Sequence, residues 1–189
     1  MESLLGNLKD IEAGHIEDII DALDKPAGKA IGLPGGLNFT IEYDRYVLGP
    51  DSAALSPFPI LKAPKELNIP GKTSIAGWEI NADITTFSDV NVSEEVDDFT
   101  ACFDYDATGK LLVVRSRRPG DRFQPLGLEQ TKKLNEYMID ARIPQSWRRR
   151  IPLIVSREHI IWVVGWRIDE RARVTKNTTH ILRLRFQNS

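Results

Sequence analysis

The apolar residues of this chain come mostly in short runs that alternate or break off within about five positions. That spacing constrains the fold more than any other feature. Alternation sends side chains to the two faces of a strand, whereas a helix needs a repeat near 3.6. Leu37, Phe39 and Ile41 alternate and Tyr46-Val47-Leu48 follows Asp44-Arg45, which reads as a β-hairpin. From Thr73 the period of two returns, with Ile75, Gly77 and Glu79 on one face and Trp78, Ile80, Ala82 and Ile84 on the other. Phe99, Ala101, Phe103 and Tyr105 alternate again, Asp106 to Gly109 reads as a turn, and Leu111 to Arg115 as a strand. Leu153-Ile154-Val155 and Ile160 to Val164 are strands joined through Ser156 to His159, and Ile181 to Phe186 is the last strand.

Helical spacing is confined to a few places. Ile16, Ile19, Ile20 and Leu23 predict a helix over 15–24, ended by Pro26, with a separate helical turn within 3–11. Leu134, Tyr137, Met138 and Ala141 form a second stripe. Residues 26–36 read as a turn-rich connection, and 50–72, with five prolines, as an extended one. Residues 87–98 read as an exposed acidic loop. The sum is an α+β fold. Residues 1–72 supply a small piece of helix, hairpin and Pro-rich connection, and residues 73–189 a strand-rich, sandwich-like domain with one or two short helices.

Charge divides the chain sharply. Residues 1–109 hold 7 basic and 20 acidic side chains, and residues 110–189 hold 18 basic and 7 acidic. Either the basic part meets a polyanion or the two parts attract each other. Of the 18 basic residues 14 are arginine, whose planar guanidinium can bind two phosphate oxygens at once.

The sequence argues against an active site of its own. A single cysteine, Cys102, excludes an internal disulfide, and with three scattered histidines it speaks against a structural metal site. Cys102 reads as a buried strand residue and His15 as a packed or capping one. No GxGxxG or Walker spacing is present, and Pro34-Gly35-Gly36 precedes a strand pattern where a phosphate cradle needs a helix N-terminus. Glu94, Glu95, Asp97 and Asp98 read as a solvated loop, not an acid/base pair. No apolar stretch is long enough to span a membrane and the N-terminus has no secretory pattern, so a cytoplasmic protein is expected. Three glycosylation sequons are read as chance.

The arginines from 115 to 150 stand apart. Arg115, Arg117, Arg118 and Arg122 surround a Pro119-Gly120-Asp121 turn that would fan them out. Lys132 and Lys133 precede the second helix, and Arg148, Arg149 and Arg150 lie on a short turn beyond it. These nine are the candidate phosphate contacts. Any one could instead hold the fold, Arg117 or Arg122 by pairing with Asp121 or Asp140. Trp147 reads as a stacking platform or as core.

The run Arg115-x-Arg117-Arg118-Pro119-Gly120-Asp121-Arg122-Phe123-x-Pro125-Leu126-Gly127 resembles the C-terminal domain of bacterial tRNA(Ile)-lysidine synthetase. So do Lys132-Lys133-Leu134, Ile139-Asp140, Ile143-Pro144, Arg148, Ile151-Pro152-Leu153 and the run from Ile161 to Arg171. The match covers about residues 99–186 and is weakest over 50–98. The resemblance implies a fold similar to a module of the phenylalanyl-tRNA synthetase β chain. It also implies a region that contacts the body and acceptor stem of tRNA(Ile) with a CAU anticodon. The family joins lysine to the wobble cytidine with ATP, through a Ser-Gly-Gly-x-Asp-Ser loop in an N-terminal catalytic domain. That loop is absent here. ATP and Mg are therefore implied only for the catalytic domain, and this chain alone is expected to be non-catalytic, with no cofactor. Its implied partners are the tRNA and that catalytic domain, and a homodimer is admitted. The alternative is a protein-interaction or scaffold domain whose basic half docks an acidic partner.

Overall fold

The computed structural model describes residues 10–43, 45–50, 52–86 and 97–188. They form two compact units. The expected helical turn within 3–11 and most of the acidic loop at 87–98 lie outside the described residues.

The first unit runs to Pro57 and includes Arg142–Arg148. Helix α1 (Ala13–Ala22) starts two residues before the expected position. His15 caps it, its Nδ1 accepting the Glu12 backbone N–H at 3.0 Å, one of the donors a helix N-terminus leaves unpaired. Ala22 and Ile19 pack on Leu33, Leu37, Phe39 and Ile41, with Ile31 and Leu48 at the margin. Ile16, Ile20 and Leu23 remain 39%, 57% and 40% exposed, so the apolar stripe is wider than the core beneath it.

The hairpin is present as β2 (Leu37–Ile41) and β3 (Tyr46–Gly49). The preceding stretch, expected as a connection, contributes a third strand, β1 (Ala30–Leu33), antiparallel to β2 from Ala30↔Thr40 to Leu33↔Leu37. Its glycine and small residues hide a strand that sits at the edge of its sheet. Pro34–Gly36 is a tight 3₁₀ turn linking the two strands.

The second unit comprises Phe58–Ala141 and Arg149–Ser189. One four-stranded antiparallel sheet has the order β5 (Gly71–Ile75), β6 (Trp78–Thr86), β14 (His180–Asn188), β7 (Thr100–Asp104). A five-stranded sheet has the order β13 (Arg167–Ile168), β12 (Ile160–Val163), β11 (Leu153–Val155), β8 (Val113–Arg115), β4 (Lys65–Glu66). A small ribbon pairs β9 (Arg122–Phe123) with β10 (Lys132–Lys133), and helix α3 (Leu134–Asp140) follows it directly.

Aromatic side chains bind the two sheets into a sandwich. Trp162 of β12 lies 5.8 Å from Phe103 of β7 and 5.5 Å, edge-on, from Phe186 of β14. Phe58, Trp78, Phe99 and Trp166 extend the cluster. All four residues of β12 are buried, so both faces of that strand are covered. Leu134, Tyr137 and Met138 of α3 are buried as their spacing predicts, and Tyr137 meets Phe123 edge-on at 5.0 Å. Gly165 (φ +86) turns the chain from β12 into β13, and a Cβ there would come within 3.1 Å of the Phe58 ring.

Two readings of the pattern are corrected. The alternation that began at Thr73 runs through a hairpin: β5 and β6 are joined at Ala76 (φ 49) and Gly77 (φ 84). Partners across this two-residue turn differ in parity, Ile75 opposite Trp78 and Thr73 opposite Ile80, so Ile75 shares a face with Trp78 and not with Glu79. The expected turn at 106–109 is part of a short helix, α2 (Tyr105–Thr108), entered when Asp104 Oδ1 accepts the Ala107 N–H at 3.0 Å. Cys102 lies in β7 as expected but is only half-buried.

Candidate functional site

The basic residues near β8 are positioned by one carboxylate. Arg115, at the end of β8, donates from Nη1 and Nη2 to the two Asp121 oxygens at 2.8 Å each. Asp121 Oδ2 also accepts the Arg118 backbone N–H at 2.7 Å. Both side chains of the pair are 11% exposed. Such a two-pronged, partly buried pair fixes the turn's geometry as well as its charge. Burial pushes the Asp121 carboxyl up, but the Arg115 guanidinium and the Arg118 N–H outweigh it and hold the group below its ordinary value. The turn therefore folds Arg115 inward instead of fanning it out.

The other candidates divide by what holds them. Arg117 donates to Asn135 Oδ1 at 3.1 Å. Arg122 uses Nε and Nη2 on the Thr131 hydroxyl and carbonyl, at 3.3 and 3.0 Å. Lys132 pairs with Asp140, and Lys133, 69% exposed, lies 3.4 Å from Glu136. Arg118 and Arg149 are exposed, and neither guanidinium has a hydrogen bond among the described residues. Arg150 is half-buried. Arg148 is 9% exposed; its Nε donates to the Ile143 carbonyl and its Nη2 to the Tyr43 hydroxyl, each at 3.0 Å. Trp147 is half-buried, with the Arg45 guanidinium 5.9 Å from its ring centroid.

Three of the nine candidates, Arg115, Arg118 and Arg122, line one recess of about 670 Å³. Sequence reasoning missed the rest of it: Arg157, Glu158 and His159 from the β11–β12 turn, and Arg171. The turn is held by Ser156, whose Oγ accepts the Glu158 and His159 N–H groups at 3.2 Å and donates to the His159 carbonyl at 3.1 Å. Arg171 is held by Asp169, a fully buried carboxylate. Asp169 accepts the Arg171 N–H, Nε and Nη2 at 3.0, 2.8 and 2.9 Å and the Gln124 N–H at 3.0 Å. Four donors offset the cost of burying that charge. Glu170 completes the stitch, its Oε2 accepting the Gly127 N–H at 2.8 Å. Burial, with the Arg171 guanidinium beside it, holds the His159 imidazole below its ordinary value.

For a nucleotide, the Pro34–Gly36 stretch offers a turn between two strands and not a helix N-terminus, so no step through ATP or Mg is derived from it. Among the described residues no group of three or more His, Cys, Asp or Glu side chains stands close enough to hold a metal ion. No described helix is long and apolar enough to cross a membrane.

The α+β fold of packed antiparallel sheets is shared with a solved structure. The crystal structure of a TILS C-terminal domain superposes with a TM-score of 0.55 and 25% identity, covering 67% of this chain and 98% of that one. Residues 112–186 match the TilS substrate C-terminal domain family. It is 44% identical over 187 residues to a tRNA(Ile)-lysidine synthase of Dehalococcoides mccartyi, covering 99% of this chain and 40% of that protein. The corresponding enzyme of Caldanaerobacter subterraneus is 37% identical over 185 residues, covering 96% of this chain and 38% of that protein. The chain thus spans about 40% of the length of the curated relatives it matches. A phenylalanyl-tRNA synthetase β-subunit fragment from Pyrococcus horikoshii aligns over 46% of the chain at 18% identity, with a TM-score of 0.40.

Proposed function

We propose that this chain is a non-catalytic, tRNA-docking portion of a tRNA(Ile)-lysidine synthase, the ATP-dependent ligase that converts the wobble cytidine of tRNA(Ile) to lysidine. The observation that carries the proposal is the basic recess within the segment matching the TilS substrate C-terminal domain. An A-form acceptor stem is recognised mainly through phosphates, 2′-hydroxyls and shape. Guanidinium groups on turns suit that task, since phosphate contacts position a nucleic acid without reading its sequence. The partners are then tRNA(Ile) with a CAU anticodon and the catalytic domain of the same enzyme, in the cytoplasm.

The scaffold reading receives less support. The carboxylates that meet Arg115, Lys132, Lys133, Arg171 and Arg173 are Asp121, Asp140, Glu136, Asp169 and Glu170, all from the basic half itself. The test is a titration with unmodified tRNA(Ile) over a salt series, beside a non-cognate tRNA and a duplex of similar charge. Each phosphate contact should add roughly 0.7 to 0.9 to the slope of log K against log[salt]. Arg118→Glu and Arg149→Glu should each lower the slope by about one contact. No binding at low salt, or binding that ignores both substitutions, would overturn the proposal.

A further inference from the structure

We propose that the recess between the Arg118–Arg122 turn and the Ser156–His159 turn binds a phosphate group carrying more than one negative charge: a terminal phosphate monoester, inorganic phosphate or pyrophosphate. This goes beyond tRNA docking, for which singly charged diesters on an outer surface suffice.

The charge balance comes first. Five guanidinium groups line the recess against two carboxylates; Asp121 already holds Arg115 and the buried Asp169 holds Arg171, which leaves Arg118, Arg122 and Arg157 against Glu158. Like charges gathered in a concave wall repel one another unless an anion joins them. Donor capacity is open in a definite place. The Arg118 and Arg157 side chains make no hydrogen bond among the described residues, and each presents a complete fork. Arg122 and Arg171 each use Nε and Nη2 on the protein, and Nη1 of each makes no hydrogen bond among the described residues. Because Thr131 and Asp169 already orient these two forks, little rotamer freedom is lost when an anion arrives.

His159 supplies an independent sign. Its Nε2 is buried with no hydrogen-bond partner among the described residues, and His159 as a residue lines the same recess. Buried polar atoms in native structures are seldom left unpaired. A ligand oxygen would pair it, as donor or acceptor according to the ligand's protonation. The groups around the ring are Arg171, Asp169 and Glu158. A phosphate monoester carries about −1.5 to −2 at neutral pH, against −1 for a diester, and matches the excess of cations better. A recess of about 670 Å³ is also of the size of small-ligand sites.

The test titrates the whole chain at constant ionic strength with inorganic phosphate and with pyrophosphate, following the His159 ring signals by NMR. A saturable shift, an upward move of the ring's titration midpoint, and at least tenfold weaker binding in the Arg118→Glu/Arg157→Glu variant support the site. A second arm compares a 5′-phosphorylated RNA hairpin with its 5′-hydroxyl form. A tenfold preference for the phosphorylated hairpin, lost in the variant, identifies an RNA end as the source. Equal affinity for the two hairpins, with saturable phosphate binding, identifies a free anion. If neither phosphate nor pyrophosphate perturbs His159 and the hairpins bind alike, the proposal is overturned, whatever the tRNA titration shows.

Discussion

Two clusters of three arginines look alike in sequence and are used differently. Around β8, Arg115 is drawn inward by Asp121, Arg117 leans on Asn135, and Arg118 stands exposed. In the 148–150 turn it is again the first member that is buried, but Arg148 is held by the Ile143 carbonyl and the Tyr43 hydroxyl. The first cluster carries its counter-charge six residues away. The second has no carboxylate on Arg148 among the described residues and depends on a phenol more than a hundred positions back in the chain. The lesson is that adjacency of basic residues does not make a binding face; the partner of each guanidinium decides.

That contrast can be broken experimentally. The largest effect is expected from Arg115→Ala, which leaves Asp121 without its partner in a partly buried turn and should cost about 3 kcal/mol in urea denaturation. Arg148→Ala removes two hydrogen bonds from a buried guanidinium and should cost about 2 kcal/mol. If Arg148→Ala proves as harmless as a surface change, its buried guanidinium has no structural role.

Acid should act on both sides of the recess. His159 has a folded value below its unfolded one, so its contribution is lost as pH falls from about 6.5 through the lower folded value. Asp121 is likewise depressed, and its contribution disappears at still lower pH, below the ordinary carboxylate value near 3.9. A denaturation series from pH 8 to about pH 2 should therefore show two successive losses. Asp121→Asn should abolish only the lower one, while also lowering stability throughout. The smallest effect belongs to Arg118→Glu and Arg149→Glu, each within about 0.5 kcal/mol of the parent, because neither guanidinium holds a neighbour.

Much of the fold was legible because its strands bury alternate residues. Phe103, Trp162 and Phe186 sit where their spacing places them, and the α3 stripe is buried as expected. What escaped were short or small-residue elements: β1 with its glycine, the two-residue ribbon strands, and the hairpin whose two-residue turn switches the buried face from odd to even positions. The recess was half legible. Arg115, Arg118 and Arg122 advertise themselves as a cluster, but Arg157, His159 and Arg171 come from separate turns. The available clue was the run Ile168-Asp169-Glu170-Arg171, whose acidic residues are tied to Gln124 and Gly127.

The strand order β5-β6-β14-β7 has a consequence for how the protein is made. The middle of that sheet is β14, paired with β6 over nine positions and with β7 over five. A ribosome delivers β6 and β7 first, then the whole of β8 to β13, and only then the strand that unites them. Until it emerges, two pieces wait with open edges of the kind that recruit other chains. Closure of this sheet is thus a late event by topology, and the nascent chain's exposure to misassembly is governed by the interval before residue 180 appears.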